Sequence, residues 1–247
     1  MGITTLIKKG INMARRSKSL EKRSSGRSIK TRKGTRLTHP IKDPNDRNKL
    51  IRWFDKRYDD AKSDIKKAQA DRDRMIVLVA LNTGFRAEDI LQLLVREIEK
   101  GYIDIKENKT GKHQSFFLDS AFMDEVKAYI ERNELKPNDY MFKGQQQQSK
   151  GKKYLDPITR QRINQVINVA VDEIGIPFSV GMHGLRKTFG YYCISVKGIN
   201  PLTVMKLYNH TNWFVTSRYI EWGNDDLEMA RSNLFISDTG VTKKRRK

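Results

Sequence analysis

A group of polar side chains in the C-terminal half of this 247-residue chain has the composition of a reactive site. In the run GMHGLRKTFGYY, His183 and Arg186 are three residues apart, which places them on one face of a helix. His210 and Tyr219 follow within the next few turns. Imidazole, guanidinium and phenol groups can bind a ligand, pack in a core or take part in breaking a bond. The rest of the sequence must decide between these roles.

A further arginine, Arg86, directly follows the segment NTGF. Gly84 permits a tight turn between two apolar helices, so an arginine there is held by packing on both sides. Asp89 lies one helical turn further on and is predicted to orient the guanidinium of Arg86. By itself, Arg86 would be interpreted as a capping or ion-pairing residue.

The spacing of His210 and Tyr219 requires a break between them. Nine residues on one continuous helix would place the two side chains on opposite faces. Thr211 or Asn212 can act as an N-cap, so that His210 precedes the helix that carries Tyr219. Tyr219 on its own is compatible with a core position, as is each of the other tyrosines nearby.

The elements that position these residues predict an α+β fold that is mainly α-helical. Amphipathic helices recur along the chain, and YIDIKENKTGKHQSFFL predicts one antiparallel β-hairpin with its turn at Asn108–Gly111. The segment GQQQQSKGKK, Gly144 to Lys153, is of low complexity and is predicted to be a mobile surface loop.

The composition indicates a polyanionic partner. The chain carries 49 Lys and Arg against 29 Asp and Glu, a net charge of +20, which favours nucleic acid. The longest apolar run, Met75 to Leu81, is too short to span a membrane, and no signal peptide is predicted. A single cysteine, Cys193, excludes an internal disulfide and favours a cytoplasmic location.

Three segments are predicted: a basic, flexible arm at 1–37, a globular domain at 38–236 and a basic tail at 237–247. The stretch from Lys8 to Arg36 has twelve basic residues and one acidic residue, and it lacks a hydrophobic period. Contact with DNA phosphates is more plausible for this arm than a solubilising role alone. Its predicted DNA-binding residues are Arg15, Arg16, Lys18, Lys22, Arg23, Arg27, Lys30, Arg32, Lys33 and Arg36.

Four motifs together resemble one family. NTGFRAEDILQL, ENKTGK, MHGLRKTF and LYNHTNWFVTSRYI are similar, in order, to the motifs of the phage-integrase class of tyrosine recombinases. The resemblance covers roughly residues 38 to 225 and implies the catalytic domain of that class. Four ordered motifs are far more specific than any one of them.

The resemblance assigns roles to six residues. It implies that Tyr219 is the nucleophile and that Arg86 and Arg186 bind the phosphate. It also implies that Lys109 is the acid in the hairpin, with Lys112 a weaker candidate. His183 then acts as the base, and His210 donates a hydrogen bond to the phosphate. No carboxylate cluster suited to a metal is evident, so neither a metal nor another cofactor is predicted.

Two departures from the family pattern stand out. Asn209 replaces the glycine that usually precedes the second histidine, and asparagine tolerates the same left-handed backbone. Family members also carry a helical core-binding domain before the catalytic one, and no such domain is evident before residue 38.

The function predicted first is DNA breakage and rejoining through a 3′-phosphotyrosyl intermediate, in recombination or integration of a mobile element, phage or plasmid. One alternative is a relaxase-like or type IB topoisomerase-like enzyme that nicks and reseals one strand. A second alternative is a non-catalytic DNA-binding protein. An RNA-binding protein of ribosomal type would fit the charge but not the motifs.

The predicted partners are double-stranded DNA and further copies of the chain, with no membrane association. The segment DDLEMARSNLF after Tyr219 is amphipathic through Leu227, Met229, Leu234 and Phe235. It either packs on its own domain or is exchanged between protomers on DNA, and the sequence favours neither.

Overall fold

The computed structural model describes residues 37–144, 147–149, 152–154, 156–220, 227–228 and 231–232, with the backbone alone for 147–149 and 152–154. The predicted arm residues and the tail lie outside this part of the chain, and so does most of the segment DDLEMARSNLF. The described elements are helices α1 Pro44–Asp59, α2 Asp64–Thr83, α3 Ala87–Leu91, a 3-10 turn Val95–Glu97, strands β1 Tyr102–Lys106 and β2 His113–Phe117, helix α4 Ser120–Arg132, strands β3 Gln147–Ser149 and β4 Lys152–Tyr154, helices α5 Arg160–Glu173 and α6 Gly181–Tyr191, a π-helical turn Tyr192–Val196, and helices α7 Pro201–Leu207 and α8 Trp213–Ile220.

Helix α2 forms the centre of the core. Its residues Met75, Ile76 and Val79 are fully buried, and the helix packs against α1 and α6. Ser63 caps its first turn, and Gly84 ends it with a left-handed backbone at φ 63°. A Cβ at position 84 would overlap the ring of Phe189 on α6, so this glycine also permits a close helix contact.

Two buried carboxylates on α2 are held by arginines. Asp71 pairs with Arg132 of α4, while Asp73 pairs with Arg57 and Arg72. A charge in the core requires such partners, because an unpaired buried carboxylate would be strongly destabilising. These ion pairs join α1, α2 and α4.

The predicted hairpin is confirmed. Strands β1 and β2 pair antiparallel, with Tyr102 opposite Phe117 and Lys106 opposite His113. Phe116 of β2 lies between the rings of Phe85 and Phe189, at centroid distances of 5.6 and 6.4 Å. The hairpin is therefore packed on the helices through Phe116.

The prediction of a loop over Gly144 to Lys153 is wrong in its described part. Gln147–Ser149 and Lys152–Tyr154 form a second antiparallel hairpin. Strand pairing uses the main-chain N–H and C=O groups, which every residue but proline carries, so a low-complexity composition does not prevent it.

Helix α6 is buried along almost its whole length, including Arg186, Lys187 and Thr188. Thr188 Oγ1 accepts a hydrogen bond from the backbone of Ile41, and the amine of Lys187 donates to the carbonyl of Thr38. The chain segment before α1 is thereby attached to the helix that carries His183 and Arg186. Within the described residues, no helix has the length and apolar character needed to cross a membrane.

Candidate active site

The two residues of the HxxR pattern occupy the same helix, as predicted, but differ in burial. His183 is exposed on α6, whereas Arg186 is 3% exposed. The guanidinium of Arg186 donates from Nη1 to the carbonyl of Gly84 at 2.6 Å, across 102 residues of sequence. Its Cζ lies 4.3 Å from the ring centroid of Tyr208. Burial lowers the pKa of Arg186, although a guanidinium remains charged in proteins.

One polar atom of Arg186 has no hydrogen-bond partner among the described residues. This atom is Nε, which is buried. A buried donor without an acceptor is costly, so its position in a native fold calls for a specific partner. An anion oxygen would satisfy it.

The backbone break before Tyr219 is confirmed. Asn212 accepts a hydrogen bond from the N–H of Phe214 through Oδ1 at 2.9 Å, so it caps α8. His210 precedes this cap, and Asn209 adopts the left-handed backbone at φ 55°, as predicted for the residue in the glycine position. The break turns His210 towards Tyr219, with 5.4 Å between the ring centroids.

Four side chains converge around the phenol of Tyr219. Its ring centroid lies 5.2 Å from that of His183 and 5.1 Å from that of Tyr208. The Cζ of Arg186 lies 5.4 Å from the same ring. Tyr219 itself is half-buried. The structure thus brings together four predicted residues, His183, Arg186, His210 and Tyr219.

His210 is uncharged at neutral pH. Burial and, to a smaller extent, the charges of Arg186, Arg86, Lys109 and Lys112 together lower its pKa to about 4. Lys109 has the greater effect of the two lysines, which places the hairpin turn within electrostatic range of His210. Lys109 is exposed in that turn.

Arg86 has a different partner from the predicted one. Its Nη1 lies 2.8 Å from Oε1 of Glu107, a carboxylate that is 1% exposed. The two groups form an ion pair, but the geometry does not meet the criteria for a hydrogen bond from Nη1. No ion pair between Arg86 and Asp89 occurs in the part of the chain described. Arg86 is the N-cap of α3, with an extended backbone at φ −68°, ψ 148°, and its guanidinium is paired with a hairpin carboxylate instead.

Asp89 instead holds the hairpin. Its Oδ1 accepts a hydrogen bond from the backbone N–H of Asn108 at 2.9 Å. Burial raises the pKa of this carboxyl, while the Asn108 hydrogen bond acts in the opposite direction. Thr110 also donates to Glu107. The turn that bears Lys109 is therefore anchored on both sides, to α3 by Asp89 and to Arg86 by Glu107.

Three further residues of the site were missed from the sequence. Tyr208 is 1% exposed, and its hydroxyl donates to the carbonyl of Arg186, so it forms a platform under the guanidinium. Glu107 directly precedes the predicted lysine motif. Thr216 lies one helical turn before Tyr219, and that spacing was the only available signal. Among the described residues, no three His, Cys, Asp or Glu side chains could hold a metal ion together.

The model of the phage integrase family matches residues 46–224. The chain belongs to the phage integrase family. A probable integrase/recombinase of Bacillus subtilis, YoeC, is 29% identical over 161 residues, which cover 64% of this chain and 82% of that protein. Tyrosine recombinase XerA of Pyrococcus furiosus is 29% identical over 150 residues, covering 60% of this chain and 49% of that protein.

Solved structures share the fold of this integrase-family chain. The crystal structure of XerA recombinase superimposes with a TM-score of 0.60 at 17% identity, covering 82% of this chain and 66% of that one. XerH bound to palindromic difH substrate also has a TM-score of 0.60, at 20% identity, with 85% and 57% of the two chains covered.

The described domain is thus a tyrosine recombinase catalytic domain, and site-specific DNA cleavage and rejoining is the activity of this class. The chain spans about half the length of the Xer relatives that it matches. These relatives favour neither of the alternatives that the sequence left open, the nicking and resealing enzyme and the non-catalytic DNA-binding protein.

Proposed function

We propose that this chain cuts and rejoins DNA at a specific site, with Tyr219 as the nucleophile. The phenolic oxygen forms a bond to phosphorus, and the bond from phosphorus to the 5′-oxygen breaks. The products are a 3′-phosphotyrosyl link and a free 5′-hydroxyl. Attack by a 5′-hydroxyl from another strand reverses these steps and needs no ATP. The convergence of His183, Arg186 and His210 on the phenol of Tyr219 carries this proposal.

The arginines stabilise the charge that develops on phosphorus. Attack by an oxygen nucleophile adds negative charge to the non-bridging oxygens, and fixed cationic donors are most effective where water is excluded. Arg186 is held in place by Gly84 and Tyr208, so its free Nε can accommodate a phosphate oxygen with little rearrangement. Arg86 supplies the second charge from the N-cap of α3.

Two groups transfer protons, and a third donates a hydrogen bond. His183 takes the phenolic proton of Tyr219, which is otherwise a poor nucleophile at neutral pH. Lys109 gives a proton to the departing 5′-oxygen. His210, which is neutral because of its low pKa, donates an N–H to a phosphate oxygen without adding a charge.

Double-stranded DNA is the proposed partner. XerH was solved bound to its difH substrate, Tn1549 integrase with a circular intermediate DNA, and lambda integrase as a dimer on a core site. These relatives support a homo-oligomer on DNA for this chain too. Phosphate contacts by the basic arm at 1–37, exchange of the segment after Tyr219 and a cytoplasmic location belong to the same proposal.

The test uses supercoiled plasmid that carries the DNA flanking the gene of this protein. Reactions are stopped with SDS, and a protease-sensitive protein–DNA adduct is measured for the wild type, Tyr219→Phe and Tyr208→Phe. We expect an adduct with the wild type, none with Tyr219→Phe despite unchanged DNA binding, and an adduct with Tyr208→Phe. Tyr208 is the matched control because its hydroxyl is occupied by the carbonyl of Arg186.

Two results would contradict the proposal. One is an adduct that persists in Tyr219→Phe, which would assign the nucleophile elsewhere. The other is tight, specific binding by the wild type with no adduct, on DNA shown to contain the bound sequence. That outcome would favour a non-catalytic DNA-binding protein.

A further inference from the structure

The imidazole of His210 has a hydrogen-bonding partner at each nitrogen. Its Nε2 lies 3.2 Å from Nη2 of Arg186, and its Nδ1 lies 3.0 Å from Oγ1 of Thr216. Thr216 belongs to α8 and is 0% exposed. Within the described residues, its hydroxyl makes no other hydrogen bond.

The chemistry of these partners determines where the ring carries its proton. A guanidinium can only donate, so Nε2 of His210 must accept from Arg186. A pKa of about 4 leaves the ring with one N–H at neutral pH. That hydrogen is therefore on Nδ1, and the hydroxyl of Thr216 accepts it in the free protein.

The proposed reaction requires the opposite tautomer. To donate to a phosphate oxygen from the face that Arg186 occupies, His210 needs its hydrogen on Nε2. Its Nδ1 then becomes an acceptor and needs a donor. A hydroxyl is among the few neutral groups that can accept in the first state and donate in the second by rotation alone.

We propose that Thr216 is a positioning residue that allows His210 to change tautomer when a phosphate binds. The inference rests on the proposed function for the identity of the anion. One proton leaves Nδ1 to water, and water returns one proton to Nε2, so the net charge is unchanged. At the same time a phosphate oxygen replaces Nε2 as the acceptor for the N–H of Arg186, and the Thr216 hydroxyl rotates to donate to Nδ1.

The position of Thr216 couples this change to the nucleophile. Thr216 precedes Tyr219 by one turn on α8, so the same helix presents both hydroxyl groups to the site. A residue that orients a catalytic histidine can have a large effect on rate without touching the substrate.

The tautomer can be measured directly by ¹⁵N NMR of histidine-labelled protein, with His210→Gln used to assign its signals. In the free wild type we expect a protonated Nδ1 and an unprotonated Nε2. Inorganic phosphate is then added until the His210 signals stop shifting, and the pattern should reverse. A free protein with the hydrogen on Nε2, or no shift or reversal with phosphate, would overturn the inference.

Two variants separate the hydroxyl from the shape of the side chain. Thr216→Val keeps the branched shape and removes the hydroxyl, whereas Thr216→Ser keeps the hydroxyl. We expect Thr216→Val to abolish the reversal and to slow adduct formation roughly tenfold to a hundredfold. Thr216→Ser should keep the reversal and a rate within about threefold of the wild type. A Val variant with the wild-type reversal and rate would overturn the inference.

The experiment distinguishes this inference from the proposed function. If the wild type forms no adduct on DNA, the proposed function fails, yet the free-protein spectrum still tests the tautomer. Should Thr216→Val fail to fold, as judged by its melting curve, the wild-type and Thr216→Ser spectra decide alone.

Discussion

The two walls of the site differ in how they hold their charged groups. The helical wall, formed by Arg186, Tyr208 and His210, is largely buried, and its guanidinium is locked by a carbonyl and an aromatic platform. The hairpin wall, formed by Glu107 and Lys109, is anchored through Asn108 and Thr110 but exposes its lysine. The two walls are therefore suited to different chemical tasks. Charge stabilisation benefits from rigid, dry donors, whereas proton delivery to a leaving group requires a side chain with reach.

The largest effect is expected from loosening the helical wall. Arg186→Lys keeps a cation but loses the planar fork that reaches Gly84 and the aromatic platform together. We expect the rate of adduct formation to fall roughly a hundredfold to a thousandfold, with DNA affinity changed only a few-fold. Arg218→Lys, at an exposed position on α8, is the control. Near-normal cleavage by Arg186→Lys would show that rigidity of this wall is unnecessary.

A smaller effect is expected from the hairpin wall. Lys109→Ala should slow cleavage by about a hundredfold, because the departing 5′-oxygen loses its acid. DNA with sulfur in place of that oxygen should restore the rate, since a thiolate is a much better leaving group. Lys112→Ala, three residues along the same turn, should be close to wild type. If Lys112→Ala showed the larger defect, the role assigned to Lys109 would move to Lys112.

The smallest effect concerns stability. His210 has a pKa of about 4 in the folded chain and an ordinary value of 6.5 when unfolded, so the unfolded state binds a proton first as pH falls. The free energy of unfolding should therefore decrease as the pH falls from 6.5 to 4. The contribution is on the order of 2 kcal/mol after allowance for partial exposure of the ring.

His210→Gln should make this dependence shallower in denaturant titrations across the same pH range. The exposed His113→Gln in β2 serves as the control for loss of an imidazole. An unchanged slope for His210→Gln would mean that the helical wall does not exclude water from this ring.

Local conformation was predictable from the sequence where it depends on residues that are close together in the chain. The turn at Gly84, the cap at Asn212 and the left-handed Asn209 each depend on a residue's own backbone preferences or on neighbours within a few positions. The hairpin was predictable for the same reason, since its turn and alternation lie within seventeen residues.

Pairings across the chain were not predictable in the same way. Arg86 pairs with Glu107 rather than Asp89, because the hairpin packs against α3 and brings the Glu107 carboxylate to the guanidinium. The contact of Arg186 with Gly84 joins residues 102 positions apart. No periodicity in a single sequence encodes which distant side chains meet.

The sequence by itself determined the chemical types of the site, the net charge of +20 and the order of motifs that places the chain in its family. Only the tertiary structure decided which groups are buried, which carboxylate faces Arg86 and which groups contact the two nitrogens of His210. Desolvation and hydrogen-bond direction arise from the surroundings of a group, and those surroundings exist only after distant segments have packed together.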